Sequence, residues 1–168
     1  MQKNIFQLFV LSFFVLTSCS NGNDYLPKKL GDLTLTKIIQ NEKATRIINK
    51  MHGKRLDGSD NFIAYYGRKK SGNLLYVTVY KNAERAKTDL ISMAMKMAEG
   101  TQVFSPLTSV KMGDNAHFQT AGMGFTHYFY RFDNILIWWQ VQPGKAESTY
   151  HDLINFDFAM LKDKAKRQ

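Results

Sequence analysis

The chain contains little cysteine and little proline: its 168 residues include one cysteine and three prolines. A single cysteine forms neither an intramolecular disulfide nor a zinc site built from several thiolates. Three prolines do not make a proline-rich spacer, and a composition that is 44% hydrophobic and 13% aromatic excludes intrinsic disorder. The length and composition therefore indicate one domain with a hydrophobic core, together with a short appended segment.

Sequence signatures of catalysis are missing as well. The chain has no G-x-S-x-G nucleophile elbow, no H-E-x-x-H zinc motif and no P-loop. Gly122-Met123-Gly124 lacks the third glycine of a dinucleotide-binding loop, and the acidic residues are scattered rather than paired. We therefore predict that the protein is not an enzyme and that it carries no cofactor.

The first 23 residues carry a single charge, on Lys3. An apolar run follows between Ile5 and Leu16, and the small residues Thr17 and Ser18 come after it. A basic start, an apolar stretch of about a dozen residues and small residues before a cleavage point are typical of a secretory signal peptide. The run is too short for a mature membrane-spanning helix, which needs about 20 apolar residues. The sequence therefore predicts export, with residues 1–18 as the signal peptide.

The tetrapeptide Leu16-Thr17-Ser18-Cys19 resembles the lipobox of bacterial lipoprotein precursors, in which a leucine and two small residues precede a cysteine. The resemblance implies that the Cys19 thiol receives a diacylglyceryl group, that cleavage follows Ser18, and that the new amino group is acylated, for example by palmitate. Two or three acyl chains anchor a protein stably to a lipid bilayer. In a Gram-negative envelope, Ser20 favours the outer membrane over the inner membrane.

This processing divides the chain into three segments. Residues 1–18 are removed, residues 19–27 form a lipidated N-terminus and a polar, flexible tether, and residues 28–168 form a single domain in the cell envelope, facing the periplasm. The alternative is an ordinary secretory peptide in which Cys19 has no role.

Hydrophobic periodicity predicts the elements of the domain. Alternating, β-rich segments predict strands over residues 33–38, 62–66, 74–80, 107–112, 115–120, 125–132 and 135–141. Apolar stripes at helical spacing predict helices after the N-cap residues Asn41 and Asn82, and a closing C-terminal helix over residues 146–162. This order favours an α+β fold, in which an antiparallel sheet of about five to seven strands packs against two or three helices.

Between Leu74 and Leu161 the order of elements loosely resembles the PsbP/Mog1-like class. In that class, helices flank a curved antiparallel sheet and a closing helix follows an aromatic hairpin. The resemblance implies an architecture only, and it carries over no functional residue because no diagnostic motif supports it.

The turns of the second half predict which side chains share a face of the sheet. A two-residue turn at Asp133-Asn134 places a continuous set of apolar residues on one side, which is predicted to face the core. A three-residue loop at 121–123 would pair His117 with His127. Together the two registers give the opposite side a mixture of aromatic and polar residues: His117, Gln119, Phe125, His127, Phe129, Arg131, Trp138 and Gln140. This candidate binding face suits recognition unless the helices of the first half cover it.

Two residue patterns suggest metal binding. The cross-strand pair His117 and His127 would offer two imidazoles to a metal ion in a hydrolase or a metal carrier, although a catalytic zinc site usually has three protein ligands. Met93, Met95 and Met97 resemble the methionine-rich stretches of exported copper proteins. At 3.6 residues per turn only Met93 and Met97 share a helix face, so the spacing favours core packing.

The net charge of +9 indicates the kind of partner. Basic residues cluster at 28–29, 54–55, 68–70 and 162–167. On a lipid-anchored, exported domain, this charge favours anionic lipid headgroups, an anionic envelope polymer or a protein partner over nucleic acid. The sequence therefore predicts a membrane-anchored, non-enzymatic binding or structural module of the cell envelope.

Overall fold

The structure, a computed structural model, describes residues 25–165 except residues 53, 54, 56, 57, 59, 69, 112 and 114. The predicted signal peptide, the predicted lipidation site at Cys19 and residues 166–168 lie outside the described residues. No helix in the described part of the chain is both long enough and apolar enough to cross a membrane.

Within the described residues, eight strands and four α-helices follow one another along the chain. In the first half they are β1 (Lys29–Leu30), β2 (Leu33–Gln40), α1 (Asn41–His52), β3 (Asp60–Tyr66), β4 (Asn73–Val79) and α2 (Ala83–Met97). In the second half they are β5 (Thr108–Lys111), β6 (His117–Gly122), β7 (Phe125–Phe132), β8 (Ile135–Val141), α3 (Ala146–Ile154) and α4 (Ala159–Ala165).

All of these strands form one antiparallel sheet in the order β1-β2-β3-β4-β8-β7-β6-β5. The strands of the first half and those of the second half form two groups, which meet in the middle of the sheet where β4 pairs with β8. The predicted α+β class is confirmed, but the sheet has more strands than the predicted five to seven, and more helices pack on it than the predicted two or three. The strand missed from the sequence is β1, which has only two residues, too few for alternation to be visible.

The first face of the sheet carries the largest core and is covered by α3 and α4. On β7 and β8 it contains the residues predicted to face the core, and all of them are buried except Phe132: Thr126, Tyr128, Tyr130, Ile135, Ile137, Trp139 and Val141. The helices contribute Ala146, Leu153, Phe158 and Leu161 to the same cluster. The two-residue turn at Asp133-Asn134 is therefore confirmed, because Phe132 pairs with Ile135 across it.

The second face of the sheet is covered by the two helices of the first half. Helix α1 packs Ala44 and Ile48 against Ile39 and Ile63. Helix α2 packs its apolar stripe against β7 and β8, and its first turn is capped as predicted, because the Asn82 side chain accepts a hydrogen bond of 2.9 Å from the Arg85 backbone N–H. Helices thus flank the sheet on both sides, and the face that the sequence left open for recognition is largely a second core.

The predicted register of the β6–β7 hairpin is wrong. Its turn is made by Met123 and Gly124, whose φ angles are 55° and 80°, so Gly122 pairs with Phe125. Relative to a loop at 121–123, the pairing moves by an odd number of residues, and an odd shift exchanges the two faces of a strand. His117 therefore pairs with Tyr130 instead of His127, and it lies on the first face of the sheet.

The predicted closing helix over residues 146–162 is in fact two helices. Residues 155–158 break it because Phe156 and Phe158 turn onto the core and pack edge to face, with their ring centroids 4.8 Å apart. The Asp157 carboxylate then accepts a hydrogen bond of 2.8 Å from the Ala159 N–H, at the start of α4. A packed aromatic pair, with Phe158 buried and Phe156 half-buried, followed by an aspartate at the start of the next helix gives a physical reason for the interruption.

The folded region begins before residue 28. Leu26 is buried in the core of the first face, and the Tyr25 ring packs on Phe62 at a centroid distance of 5.2 Å. The Tyr25 hydroxyl also donates a hydrogen bond of 2.6 Å to the Gln40 side chain. Residues 25–27 therefore belong to the domain, although the sequence assigned them to the tether.

Candidate functional site

The structure divides the candidate binding face that was predicted from the sequence. His117 and Gln119 lie on the first face of the sheet, while Phe125, His127, Phe129, Arg131, Trp138 and Gln140 share the second face. Among the latter, His127 is 1% exposed and Phe129 is 0% exposed, since Phe104 and α2 pack over them. The eight residues therefore do not form one surface, and Trp138 is the one that lines the cleft described below.

The buried His127 holds Trp138 in place. Its Nε2–H donates to the Gly122 carbonyl at 3.1 Å, and its Nδ1 accepts a hydrogen bond of 3.1 Å from the Trp138 indole N–H. Accepting a hydrogen bond at Nδ1 requires the neutral imidazole with its proton on Nε2. Burial lowers the pKa of His127, opposed in part by the bond to Gly122, so this form is favoured. Its role in the structure is to orient the indole.

His117 lies in an aromatic cluster on the other side of the sheet. Its ring stacks on Tyr130 with centroids 4.3 Å apart, and its Nδ1 shares a hydrogen bond of 2.6 Å with the Tyr150 hydroxyl. Burial, with a smaller effect of Lys111, lowers the pKa of His117 to about 4. His117 and His127 lie on opposite faces of the sheet, so the two-imidazole site considered as the alternative is not formed. No group of three His, Cys, Asp or Glu side chains among the described residues could hold a metal ion.

A cleft lies on the second face between α1 and α2. Helix α1 covers β2 and β3, and α2 covers β7 and β8, so β4 in the middle of the sheet is left between the two helices. Tyr76 and Thr78 of β4 and Leu136 and Trp138 of β8 form its floor. The other lining residues are Ile48, Met51, His52, Met93, Lys96, Met97 and Phe104, and the cavity volume is about 250 Å³.

The walls of the cleft are apolar and deformable. Met51 comes from α1 and Met93 and Met97 from α2, and the thioether side chain adapts readily to the shape of a neighbour. Met95 is 74% exposed and is absent from the lining, as the helical spacing predicted. The aromatic rings of Trp138 and Phe104 complete the apolar lining, with their centroids 6.1 Å apart. Such a surface suits a nonpolar molecule of variable shape.

Polar groups are few and stand at defined places in the cleft. Burial, with a smaller effect of Tyr65, raises the pKa of Tyr76 to about 12, so the phenol stays neutral and can donate a hydrogen bond. The Thr78 hydroxyl already donates to the Asn61 side chain at 2.8 Å. Lys96 is exposed at the rim of the cleft. Besides the His52 imidazole, which also lines the cleft, the polar groups are therefore one phenol and one ammonium group.

A smaller, more polar recess adjoins the cleft and is partly lined by the same residues. It adds Tyr80, Asp89 and Ser92 to the lining. The Asp89 carboxylate accepts a hydrogen bond of 2.9 Å from the Tyr80 hydroxyl and lies 3.7 Å from the Arg85 guanidinium. Asp89 is therefore held in place by two partners within the protein.

Sequence reasoning identified the side chains of the cleft but not the cleft itself. Trp138 was the one lining residue that belonged to the predicted face, and the helical stripes containing Ile48, Met51, Met93 and Met97 were interpreted as core. The only local signal was a methionine-rich stripe on α2, a composition found at adaptable binding surfaces as well as in cores.

Comparisons with protein families, with curated proteins and with solved structures found no match for this chain.

Proposed function

We propose that this protein is an exported, lipid-anchored and non-enzymatic binding module of the cell envelope, and that its cleft between α1 and α2 takes one small apolar molecule. The observation that carries this proposal is the cleft of about 250 Å³ over β4, lined mainly by aliphatic, methionine and aromatic side chains. Pockets of this kind, apolar with few polar groups, are the usual form of a small-molecule site.

The size of the cleft supports a small ligand. An engineered apolar cavity of about 150 Å³ is enough to bind benzene. A cavity of about 250 Å³ therefore has room for a larger aromatic or aliphatic group. The ligand that fits best is a single compact hydrophobic molecule that accepts a hydrogen bond from Tyr76.

Binding of an uncharged fluorophore tests this part of the proposal. N-phenyl-1-naphthylamine should bind the full chain saturably, with increased emission. Met93→Trp fills the cleft and should weaken binding by about tenfold or more, because an overpacked pocket must first rearrange. Met95→Trp, on the exposed side of the same helix, is the matched control and should bind like the wild type.

Met51→Trp is a second filling variant, at a largely exposed position of the lining, which serves if Met93→Trp fails to fold. Equal binding by the wild type, Met93→Trp and Met51→Trp would show that the fluorophore uses another surface and would refute the proposed site.

The lipid anchor is proposed from the signal peptide and the Leu16-Thr17-Ser18-Cys19 sequence. Cells supplied with alkyne-labelled palmitate should label the wild-type chain and retain it in the membrane fraction. Cys19→Ser should lose the label, whereas Ser18→Ala keeps a small residue before the cysteine and should remain labelled. A wild-type chain that takes up no label would remove the anchor from the proposal and leave the cleft unaffected.

The proposed location is the outer membrane of a Gram-negative envelope, supported by Ser20 directly after the cysteine. In fractionated membranes the wild type should accompany the outer membrane, and Ser20→Asp should move it to the inner membrane. The opposite distribution of the wild type would contradict this location.

A further inference from the structure

The turn between β3 and β4 gathers positive charge at the end of the second face that the helices leave open. Two depressions meet there, and Arg68, Lys70, Ser71 and Asn73 line both of them. Lys37 lines one of the two. None of the described residues that line either depression is acidic. Asp32, which precedes Leu33 at the edge of one depression, is already paired with Lys145.

Pairing between β2 and β3 holds Lys37 over an aromatic ring. Lys37 is the cross-strand partner of Tyr65, and its Nζ lies 5.5 Å from the centroid of the Tyr65 ring. A cation over the face of an aromatic ring is attracted by the ring quadrupole, and this attraction limits the positions that the ammonium group takes up. Lys37 is therefore held beside the depression while its ammonium group remains exposed to solvent.

The turn itself is held in a defined conformation. The Ser71 hydroxyl donates to the Tyr66 carbonyl at 2.8 Å, and the Asn73 amide donates to the Ser71 hydroxyl at 3.1 Å. Lys70 has a φ of 72°, a left-handed conformation that is unfavourable for a lysine. The side-chain bonds of the turn, with Gly67 and Gly72 on either side also at positive φ, maintain it. Arg68 and Lys70 thus lie next to residues that these hydrogen bonds hold in place.

We propose that Lys37, Arg68 and Lys70 form a binding site for an extended soluble polyanion, such as a phosphate- or carboxylate-bearing envelope polymer. Three cations surround the depressions, and Tyr65 and the half-buried Leu74 provide an uncharged floor. Arg68 can bind phosphate or carboxylate oxygens through two parallel N–H groups, and the lysines supply point charges beside it.

The choice of a polymer over the bilayer rests on the lipid anchor of the proposed function. Tyr25 packs near Gln40 and Phe62, at the end of β2 and β3 opposite to the basic turn. If the chain is anchored upstream of Tyr25, the end of the domain near the anchor and Arg68 lie at opposite ends of β2 and β3. The strands separate them by about 3.3 Å per residue. This separation favours soluble polymers over the bilayer surface as the partner of the site.

Fluorescence anisotropy of labelled linear polyphosphate, added to the full chain in nonionic detergent, tests the site. Arg68→Gln/Lys70→Gln should bind about tenfold or more weakly and with a shallower dependence on salt concentration, because two of the contacting cations are gone. Lys43→Gln/Lys50→Gln removes the same charge from exposed positions of α1 and should bind within about twofold of the wild type.

Equal losses in both double variants would show that polyphosphate responds only to net charge, and would overturn the site. In micelles doped with phosphatidylglycerol, polyphosphate binding should equal that in micelles doped with phosphatidylcholine. Displacement by phosphatidylglycerol would instead assign the basic turn to the bilayer. Met93→Trp, which tests the cleft, should leave polyphosphate binding unchanged, so failure of the cleft and failure of the basic site can be told apart.

Discussion

Two neighbouring tryptophans, Trp138 and Trp139, lie on opposite faces of the sheet and have different roles. Trp139 faces the first core, where it is fully buried, packs edge to face on Tyr66 and donates its N–H to the Thr149 hydroxyl at 3.0 Å. Trp138 faces the other side, where it lines the cleft and donates to His127. Because side chains alternate along a strand, one position supports the fold and the next supports the candidate site.

The Trp139–Thr149 bond gives a test at this scale. Thr149→Val keeps the shape of the side chain but leaves a buried indole N–H without its acceptor, so the free energy of unfolding should fall by about 1–3 kcal/mol. In a Trp139→Phe background the same change should cost about 1 kcal/mol less, as measured by urea unfolding. Identical costs in both backgrounds would mean that the bond makes no net contribution.

The two buried histidines predict a pH dependence of stability. Burial lowers the pKa of His127, and burial with a smaller effect of Lys111 lowers the pKa of His117 to about 4. In the unfolded chain a histidine titrates near pH 6.5. Between about pH 6.5 and about pH 4 the unfolded state therefore binds more protons, so their contribution to stability is complete above this window and declines as the pH falls through it.

Urea unfolding across this range tests the assignment. His117→Gln should show a smaller loss of stability than the wild type on going from about pH 6.5 to about pH 4.5, because one of the two depressed titrations is gone. His151→Gln, at an exposed position of α3, is the control and should keep the wild-type pH dependence. An unchanged slope in His117→Gln would contradict the role of His117 as a buried, neutral imidazole.

At the scale of elements, the turns decide which side chains face which side. Met123 has a positive φ of 55°, which a methionine adopts at a cost, and its side chain is 68% exposed, so little packing depends on it. Met123→Asn creates Asn-Gly, a favoured two-residue hairpin turn, and should raise the free energy of unfolding by about 0.5–1 kcal/mol.

Gly124→Ala gives the opposite change at the neighbouring position. Its φ of 80° suits glycine, so alanine there should lower the free energy of unfolding by about 1 kcal/mol. Thermal unfolding measures both variants, and a loss of stability in Met123→Asn would contradict the described turn.

The β6–β7 and β7–β8 hairpins show how far the sequence predicts the fold. Asp133-Asn134 is the only polar pair between the apolar ends of β7 and β8, so the position of the turn is unambiguous. The bounds and the pairing of β7 and β8 were therefore predicted correctly. Around Gly122-Met123-Gly124, two glycines allow different turns, and a wrong choice moved His117 and Gln119 to the wrong face. The closing helix was predicted as one because the break depends on the packing of Phe156 and Phe158 against the core, which periodicity does not distinguish from a continuous apolar stripe.

At the scale of the whole molecule, the cleft arises from the spacing of two helices. Its lining residues come from α1, β4, α2, the segment before β5, and β8, and their separation depends on which strands each helix covers. No local pattern encodes that spacing. The sequence therefore predicted the helices and the strands β4 and β8, but their side chains were interpreted as core residues. The proposed binding function therefore requires that the cleft between α1 and α2 accept a ligand.

Methyl NMR of the full chain, with its methionine methyl groups labelled with ¹³C and assigned by single Met→Leu variants, tests this most directly. On titration with N-phenyl-1-naphthylamine, the Met51, Met93 and Met97 methyl signals should shift saturably, since these three residues line the cleft. The signals of Met95, Met123 and Met160, which are exposed elsewhere, should stay in place. Absence of shifts at Met93 and Met97, or shifts confined to the exposed methionines, would contradict the proposed binding site.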